Sequence, residues 1–212
     1  MDSAQLTKAV EGVARDWKRA AYYDDAEHAM DGQWQTLIWP RIRHCNFDVV
    51  VDLAAGHGRN SRKLLDHAKR LFIVDVNEEN ISFCRSRFAD QSNVTIFRNN
   101  GYSLQPIGDQ AVSLLYCFDA MVHFDSDVVR SYLGEITRVL RVGGHAFLHH
   151  SNMSSNPTGS HRDTPGWRHF MTKELMAHWA AKAGLGVESQ EVFDWRPGAG
   201  ISDCFTLLKR ES

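Results

Sequence analysis

The chain has 212 residues and a formal net charge of −2, with apolar and charged fractions ordinary for a soluble globular protein. With no cationic excess to neutralise phosphates, no nucleic-acid binding is expected, and no apolar run approaches the roughly 20 residues that span a bilayer. The length allows one substantial domain with a real core, read as a single unit over 1–212 with a helical cap over 1–45 and an α/β core over 46–212.

The cap comes first. Leu6, Val10, Val13 and Trp17 recur at helical spacing, as do Trp34, Leu37, Ile38 and Arg41, with Ile42 after the break at Pro40. From Asp48 the pattern changes to short apolar runs alternating with helical ones. Val49–Leu53 reads as a strand and Arg59–Ala68 as a helix. Leu71–Val76 is a strand, Glu78–Phe88 a helix capped by Asn77, and Val94–Phe97 a strand. Val112–Phe118 is a strand and Val128–Leu140 a helix that Gly143-Gly144 ends, and His145–His149 is the next strand. Thr172 caps a helix to Ala183, with Met171 and Met176 as a hydrophobic staple and Gly184 as its stop. Val187–Phe193 and Asp203–Leu208 are the last strands, too close for a parallel crossover, so they pair as an antiparallel hairpin. The outline is an α/β fold: a doubly wound, Rossmann-like sheet of seven strands, mostly parallel, with that hairpin at its end.

The N-terminus lacks the basic start and apolar stretch of a signal peptide. The four cysteines, Cys45, Cys84, Cys117 and Cys204, are widely spaced and read as reduced thiols. A cytoplasmic location is expected.

Val49–Leu53 runs into Asp52-Leu53-Ala54-Ala55-Gly56-His57-Gly58, a strand that ends at an acid and turns on small residues before a helix. Such a turn leaves backbone N–H groups free for a polar ligand. A dinucleotide fingerprint needs a third glycine where Ser61 stands, and an acid at Asp52 suits a cationic ligand better than a pyrophosphate. The plainer reading of Asp52 is a strand-end acid that caps the next helix.

From Asp48 to the C-terminus the chain resembles the class I S-adenosylmethionine-dependent methyltransferases, whose first motif reads acid-x-Gly-x-Gly-x-Gly. Ala54 stands for the first glycine, and its φ is expected to stay negative. The resemblance implies S-adenosylmethionine as cofactor and S-adenosylhomocysteine as product. It implies that Asp52, Ala54, Gly56 and Asn60 attend the methionine end and that Asp75 and Val76 hold the ribose. Asn100 and Gly101 then meet the adenine, and Phe118 and Tyr22 complete the cofactor site. Segment Tyr22–Glu27 looks like a lid.

Candidates for the chemistry lie past the strand ends: Asp119, His123 and His150 as catalytic groups, and Tyr23, His149, Asn152 and Trp167 as substrate contacts. Helix packing for His123 and anchoring for Trp167 are the plainer alternatives. Asp119, His123, His149 and His150 are metal-ligand types without a diagnostic spacing, so no metal is expected. The expected partner is a small polar acceptor, read first as a hydroxyl of a sugar, glycoside or secondary metabolite and second as a small amine. A homodimer is left open. Two other classes stand beside this reading: an NAD-dependent oxidoreductase and a non-catalytic S-adenosylmethionine-binding module.

Overall fold

Short apolar runs form the strands β1 (Val49–Leu53), β2 (Arg70–Asp75), β3 (Val94–Arg98), β4 (Val112–Cys117) and β5 (Leu140–Ser151), which pair in parallel. The strands β6 (Leu185–Arg196) and β7 (Ile201–Arg210) form an antiparallel hairpin. This is a computed structural model, and it describes residues 1–18 and 20–211. The sheet has seven strands in the order β3-β2-β1-β4-β5-β7-β6, with β7 antiparallel to both neighbours. The expected Rossmann-like sheet with a terminal hairpin is the one the chain forms. Strand order reverses at β1, and the crevice of such a sheet lies beyond the C-terminal ends of β1 and its neighbours.

Side-chain alternation divides the core between the two faces of the sheet. Val51 and Leu53 of β1 pack with Leu115 and Cys117 under α1 (Ser3–Ala14), α7 (Ser126–Val139) and α8 (Lys173–Ala183). Val50 packs with Ile73, Leu114 and Tyr116 under α4 (Trp39–Ile42), α5 (Arg59–Leu65) and α6 (Glu78–Arg87). Two further short helices, α2 (Ala20–His28) and α3 (Met30–Gln33), carry the cap between these layers.

A π-helical turn, Trp34–Ile38, joins α3 to α4 just before Pro40. Proline supplies no N–H to the carbonyl of Thr36, and Arg41 donates there at 3.4 Å and to the Leu37 carbonyl at 2.7 Å. At α8, the Thr172 hydroxyl accepts the Leu175 N–H at 3.1 Å, Met171 and Met176 are buried together, and Gly184 ends the helix at φ +85°.

Gly143-Gly144 does not end a helix. The preceding helix stops at Val139 and the chain enters β5 at once at Leu140. Between the pairs Val112–Leu140 and Leu114–His145 the strand bulges outward, and Gly143 at φ +77° lies in that bulge. A Cβ on Gly144 would lie 2.9 Å from the Arg141 carbonyl, so this glycine serves close backbone approach.

Leu114 is fully buried in β4, at the centre of the sheet. Leu114→Ala is expected to cost about 2–5 kcal/mol of stability, read as a lowered urea midpoint with an unchanged slope.

Candidate functional site

The turn after β1 is held in left-handed backbone at Ala54 (φ +57°), Gly56 (φ +57°) and Gly58 (φ +77°). The expectation of a negative φ at Ala54 is therefore overturned. The Ala55 N–H still bonds to the Val74 carbonyl of β2 at 3.1 Å, and the Gly58 N–H returns to the Ala55 carbonyl at 2.9 Å. The chain must reverse within those bonds, and the alanine methyl accepts a strain of about 1–2 kcal/mol. The Gly56 N–H points to Asp75 Oδ2 at 2.9 Å, and a Cβ on Gly56 would lie 2.4 Å from the Tyr23 ring.

Asp52 is turned into the core. Alternation along β1 turns it to the Val50 face, where it is fully buried beneath α5 and receives the Ser61 hydroxyl at 2.6 Å. It borders neither recess described below. Burial pushes its carboxyl up to about 7, against the opposing bond from Ser61 and the charge of Arg59. Through the Ser61 hydroxyl it ties the end of β1 to the first turn of α5.

A cavity with an empty volume of about 720 Å³ opens past β1, β2 and β4, in the size range of small-molecule sites. Ala54, Asp75, Val76 and Gly101 line its floor, Tyr22, Tyr23 and Trp17 lie on its cap side, and Asp119 and His123 stand beyond β4. A smaller recess of about 330 Å³ lies on the other side of the two tyrosines and reaches Gly56, Asn60 and Phe118. Of the expected site residues, these two recesses gather eleven: Tyr22, Tyr23, Ala54, Gly56, Asn60, Asp75, Val76, Gly101, Phe118, Asp119 and His123.

Five others stay outside. Asn100 turns away and accepts the N–H groups of Tyr102 and Ser103, while Asn99 takes the place on the cavity wall. His149 and His150 are completely buried. His150 donates from Nδ1 to the Ser151 carbonyl and accepts the Thr206 hydroxyl at Nε2, which leaves it no free nitrogen. Asn152 accepts the Lys173 N–H at the start of α8. Trp167 is 38% exposed and borders neither recess; its ring packs edge-on against Trp17 at 5.8 Å and its carbonyl meets His123.

The carboxylate of Asp119 receives Arg59 at 2.6 Å and the Tyr22 hydroxyl at 2.8 Å, both on Oδ2. Burial, reinforced by the Asp119 charge, raises the Tyr22 phenol and keeps it a donor. Arg59 also holds the Ala26 carbonyl at 3.1 Å and Gln33 at 2.8 Å, so one guanidinium ties the cap to the end of β4. The backbone N–H of Asp119, itself at φ +56°, donates to His149 Nδ1 at 3.1 Å. His149 Nε2 donates to Asp203 at 2.8 Å, and Asp203 is held by Arg168 at 2.8 and 2.5 Å. His149 thus positions the Asp119 backbone from behind.

His123 stacks on Trp17, with ring centroids 4.4 Å apart, and donates from Nδ1 to the Trp167 carbonyl at 2.6 Å. That bond fixes the tautomer and leaves Nε2 a lone pair with no partner among the described residues. Burial pushes the imidazole down to about 4, so it stays neutral. The Trp17 indole N–H is buried and unpaired as well.

Arg59 was missed by the sequence reading. A cation in the first turn of a helix opposes the helix dipole, and that mismatch was the available signal. Asn99 and the Arg168–Asp203 pair left no such mark.

Residues 50–144 match the family described as Methyltransferase domain. Over that stretch the chain is similar to methyltransferase domains. A probable S-adenosylmethionine-dependent methyltransferase of Mycolicibacterium smegmatis is 26% identical over 170 residues, covering 79% of this chain and 63% of that protein. The chain therefore spans less than two thirds of the length of that curated relative. The S-adenosylmethionine-dependent methyltransferase of Mesorhizobium loti shares the fold at TM-score 0.69 and 17% identity, over 85% of this chain and all of the other. The [4+2]-cyclase SpnF shares it at TM-score 0.68 and 14% identity, over 88% of this chain and 82% of the other. The fold is thus shared by proteins of different chemistry.

The raised Asp52 carboxyl has a stability consequence. In the unfolded chain it ionises near its ordinary value of 3.8, in the folded one at about 7. Between these values the folded state holds a proton that the unfolded chain has released, so stability from this group falls as pH rises from about 4 to about 7. Asp52→Asn keeps an acceptor for Ser61 without the titrating proton. Its urea midpoint relative to the parent is expected to rise between pH 4.5 and 7.5, and a constant difference would refute the assignment.

Proposed function

We propose that the chain is a class I S-adenosylmethionine-dependent methyltransferase acting on a small molecule, with a hydroxyl as the acceptor. The observation that carries this is Asp75 in the cavity wall at the end of β2. Its carboxylate accepts Asn77 N–H at 2.8 Å, Asn80 at 3.1 Å and Gly56 N–H at 2.9 Å. A carboxylate accepts about four bonds, so one acceptor position remains on Oδ2 for a ribose hydroxyl. The donor set, the glycine at the turn and the unpaired indole N–H of Trp17 fit a polar nucleoside.

When bound, S-adenosylmethionine supplies an electrophilic methyl and departs as S-adenosylhomocysteine. Asp75 would hold the ribose, with Val76, Asn99 and Gly101 about the base and the Ala54–Gly56 turn at the amino-acid end. Segment 1–45 serves as the cap over the 46–212 core. Tyr22 and Tyr23 would exclude water from the reacting centre, where positioning supplies much of the rate. We assign removal of the acceptor proton to His123 Nε2, because the Trp167 carbonyl fixes that tautomer and burial keeps the ring neutral. Asp119, anchored by Arg59 and Tyr22, presents its carboxylate to the same space and would orient the acceptor. Its negative charge also suits the sulfonium.

Calorimetric titration tests the cofactor. S-adenosylmethionine is expected to bind and NADH not to; the reverse result would overturn the reading. Asp75→Ala is expected to weaken binding about 10–100-fold and, because it removes the acceptor of the Gly56 N–H, to lower the urea midpoint with an unchanged slope.

For the chemistry, His123→Gln is expected to lower kcat about 10²–10⁴-fold with cofactor affinity retained, measured as S-adenosylhomocysteine formation over a panel of hydroxylated acceptors. Tight cofactor binding without turnover on any acceptor would instead favour a non-methylating role of the kind the cyclase neighbour suggests.

A further inference from the structure

A second cluster of reactive side chains lies at the opposite end of the sheet, where β1 and β4 begin. His44 and Cys45 follow α4, and His145 stands early in β5 opposite Leu114. One ligand atom from each of the three, a ring nitrogen from each histidine and the Cys45 sulfur, lies within 4.8 Å of the others. Among the described residues this is the one group of three or more histidine, cysteine or acidic side chains gathered closely enough to share an ion. It contains none of the metal-ligand types weighed from sequence, Asp119, His123, His149 and His150.

We propose that His44, Cys45 and His145 form a zinc site, with Glu188 as the carboxylate that orients both imidazoles. Glu188 on β6 receives His44 Nε2 at 2.9 Å on one oxygen and His145 Nε2 at 3.1 Å on the other. Both bonds put the proton on Nε2 and leave Nδ1 of each ring as a lone pair. At His145 that Nδ1 is buried with no hydrogen-bond partner, on a side chain only 11% exposed. A buried ring nitrogen without a partner is unfavourable unless something binds it, and an ion shared with the Cys45 thiol would do so. Metal-bound histidines characteristically donate their second N–H to a carboxylate, the relation Glu188 has to both rings.

The ligand chemistry selects the ion. One thiolate and two imidazoles suit zinc and exclude the oxygen-seeking magnesium and calcium. Binding replaces the Cys45 S–H bond with a sulfur–zinc bond and releases the proton to solvent, while both imidazoles bind neutral. Tetrahedral zinc with bonds of about 2.0–2.3 Å places its ligand atoms about 3.5 Å apart. The cluster must therefore tighten slightly, and His44, with its side chain 51% exposed, has the freedom to do so. Water from that open side completes the fourth position. The ion would tie the exit of the cap, at His44-Cys45, to β5 and, through Glu188, to β6.

The test uses the whole chain freed of metal with a chelator. Zinc titrated in competition with a chromophoric chelator is expected to bind at one equivalent. Cobalt(II) in its place is expected to give a thiolate-to-cobalt charge-transfer band and the intense visible bands of tetrahedral coordination. Cys45→Ser should abolish the charge-transfer band, since the other three cysteines lie elsewhere in the core. Glu188→Gln should weaken zinc about 10–100-fold. His44→Ala, at an exposed position that leaves the core intact, should weaken it at least as much, and circular dichroism of the metal-free variants confirms folding. Cofactor binding at the cleft is expected to be the same with and without zinc. Equal zinc uptake by the parent, Cys45→Ser and His44→Ala, or an octahedral cobalt spectrum without the thiolate band, would overturn the proposal.

Discussion

The Gly56 N–H donates to the Asp75 carboxylate at 2.9 Å, and this bond fixes the turn after β1 against the end of β2. Without it, a segment with left-handed backbone at Ala54, Gly56 and Gly58 would have little reason to stay folded back on the sheet. With it, the small residues are pressed under Tyr23, the Asp75 carboxylate is held at the cavity wall, and α5 begins where Ser61 can reach Asp52. Cavity floor, cap and first helix therefore share one local constraint. Asp75 is buried, and burial raises its carboxyl while the Asn77 and Gly56 N–H groups oppose that shift.

A second set of contacts carries the site across the sheet. Arg59 and Tyr22 meet on Asp119, the Asp119 N–H meets His149, and His149 meets the Asp203–Arg168 pair. These groups come from the cap, α5, the end of β4, β5, β7 and the loop before α8. Buried ion pairs add little net stability, and breaking one leaves an uncompensated charge. Their effect here is positional: the end of β4, where Asp119 is held at φ +56°, is braced on both sides.

The strand–helix alternation and the terminal hairpin were legible because period and spacing are local properties of the chain. Asp75, on the last residue of β2, was legible for the same reason. Asp52 was harder. Its place in the motif drew it toward the ligand, but parity along β1 decides its direction, and that parity is visible only once Val50 and Val51 are assigned to faces. Asn99 and Asn100 present the same difficulty one strand further on. The bulge at Gly143 depends on how β5 registers with β4, and the pairing of Asp203 with His149 and Arg168 depends on three distant segments meeting. Neither leaves a periodic trace in the sequence. His44 and Cys45 are consecutive but His145 lies a hundred residues further along the chain, and only the fold makes them neighbours.

The position of β6 at the end of the strand order has a consequence for edge-to-edge pairing. Its twelve residues make a long edge whose outer ladder groups are unpaired, a template on which another strand could grow. Glu188, Glu191 and Asp194 are exposed along that edge, and the first two are tethered sideways to His44, His145 and Arg41. A second copy adding edge to edge would bring acid against acid across the new ladder. The charges that fasten the hairpin to the cap thereby also act as a guard against sheet extension and aggregation.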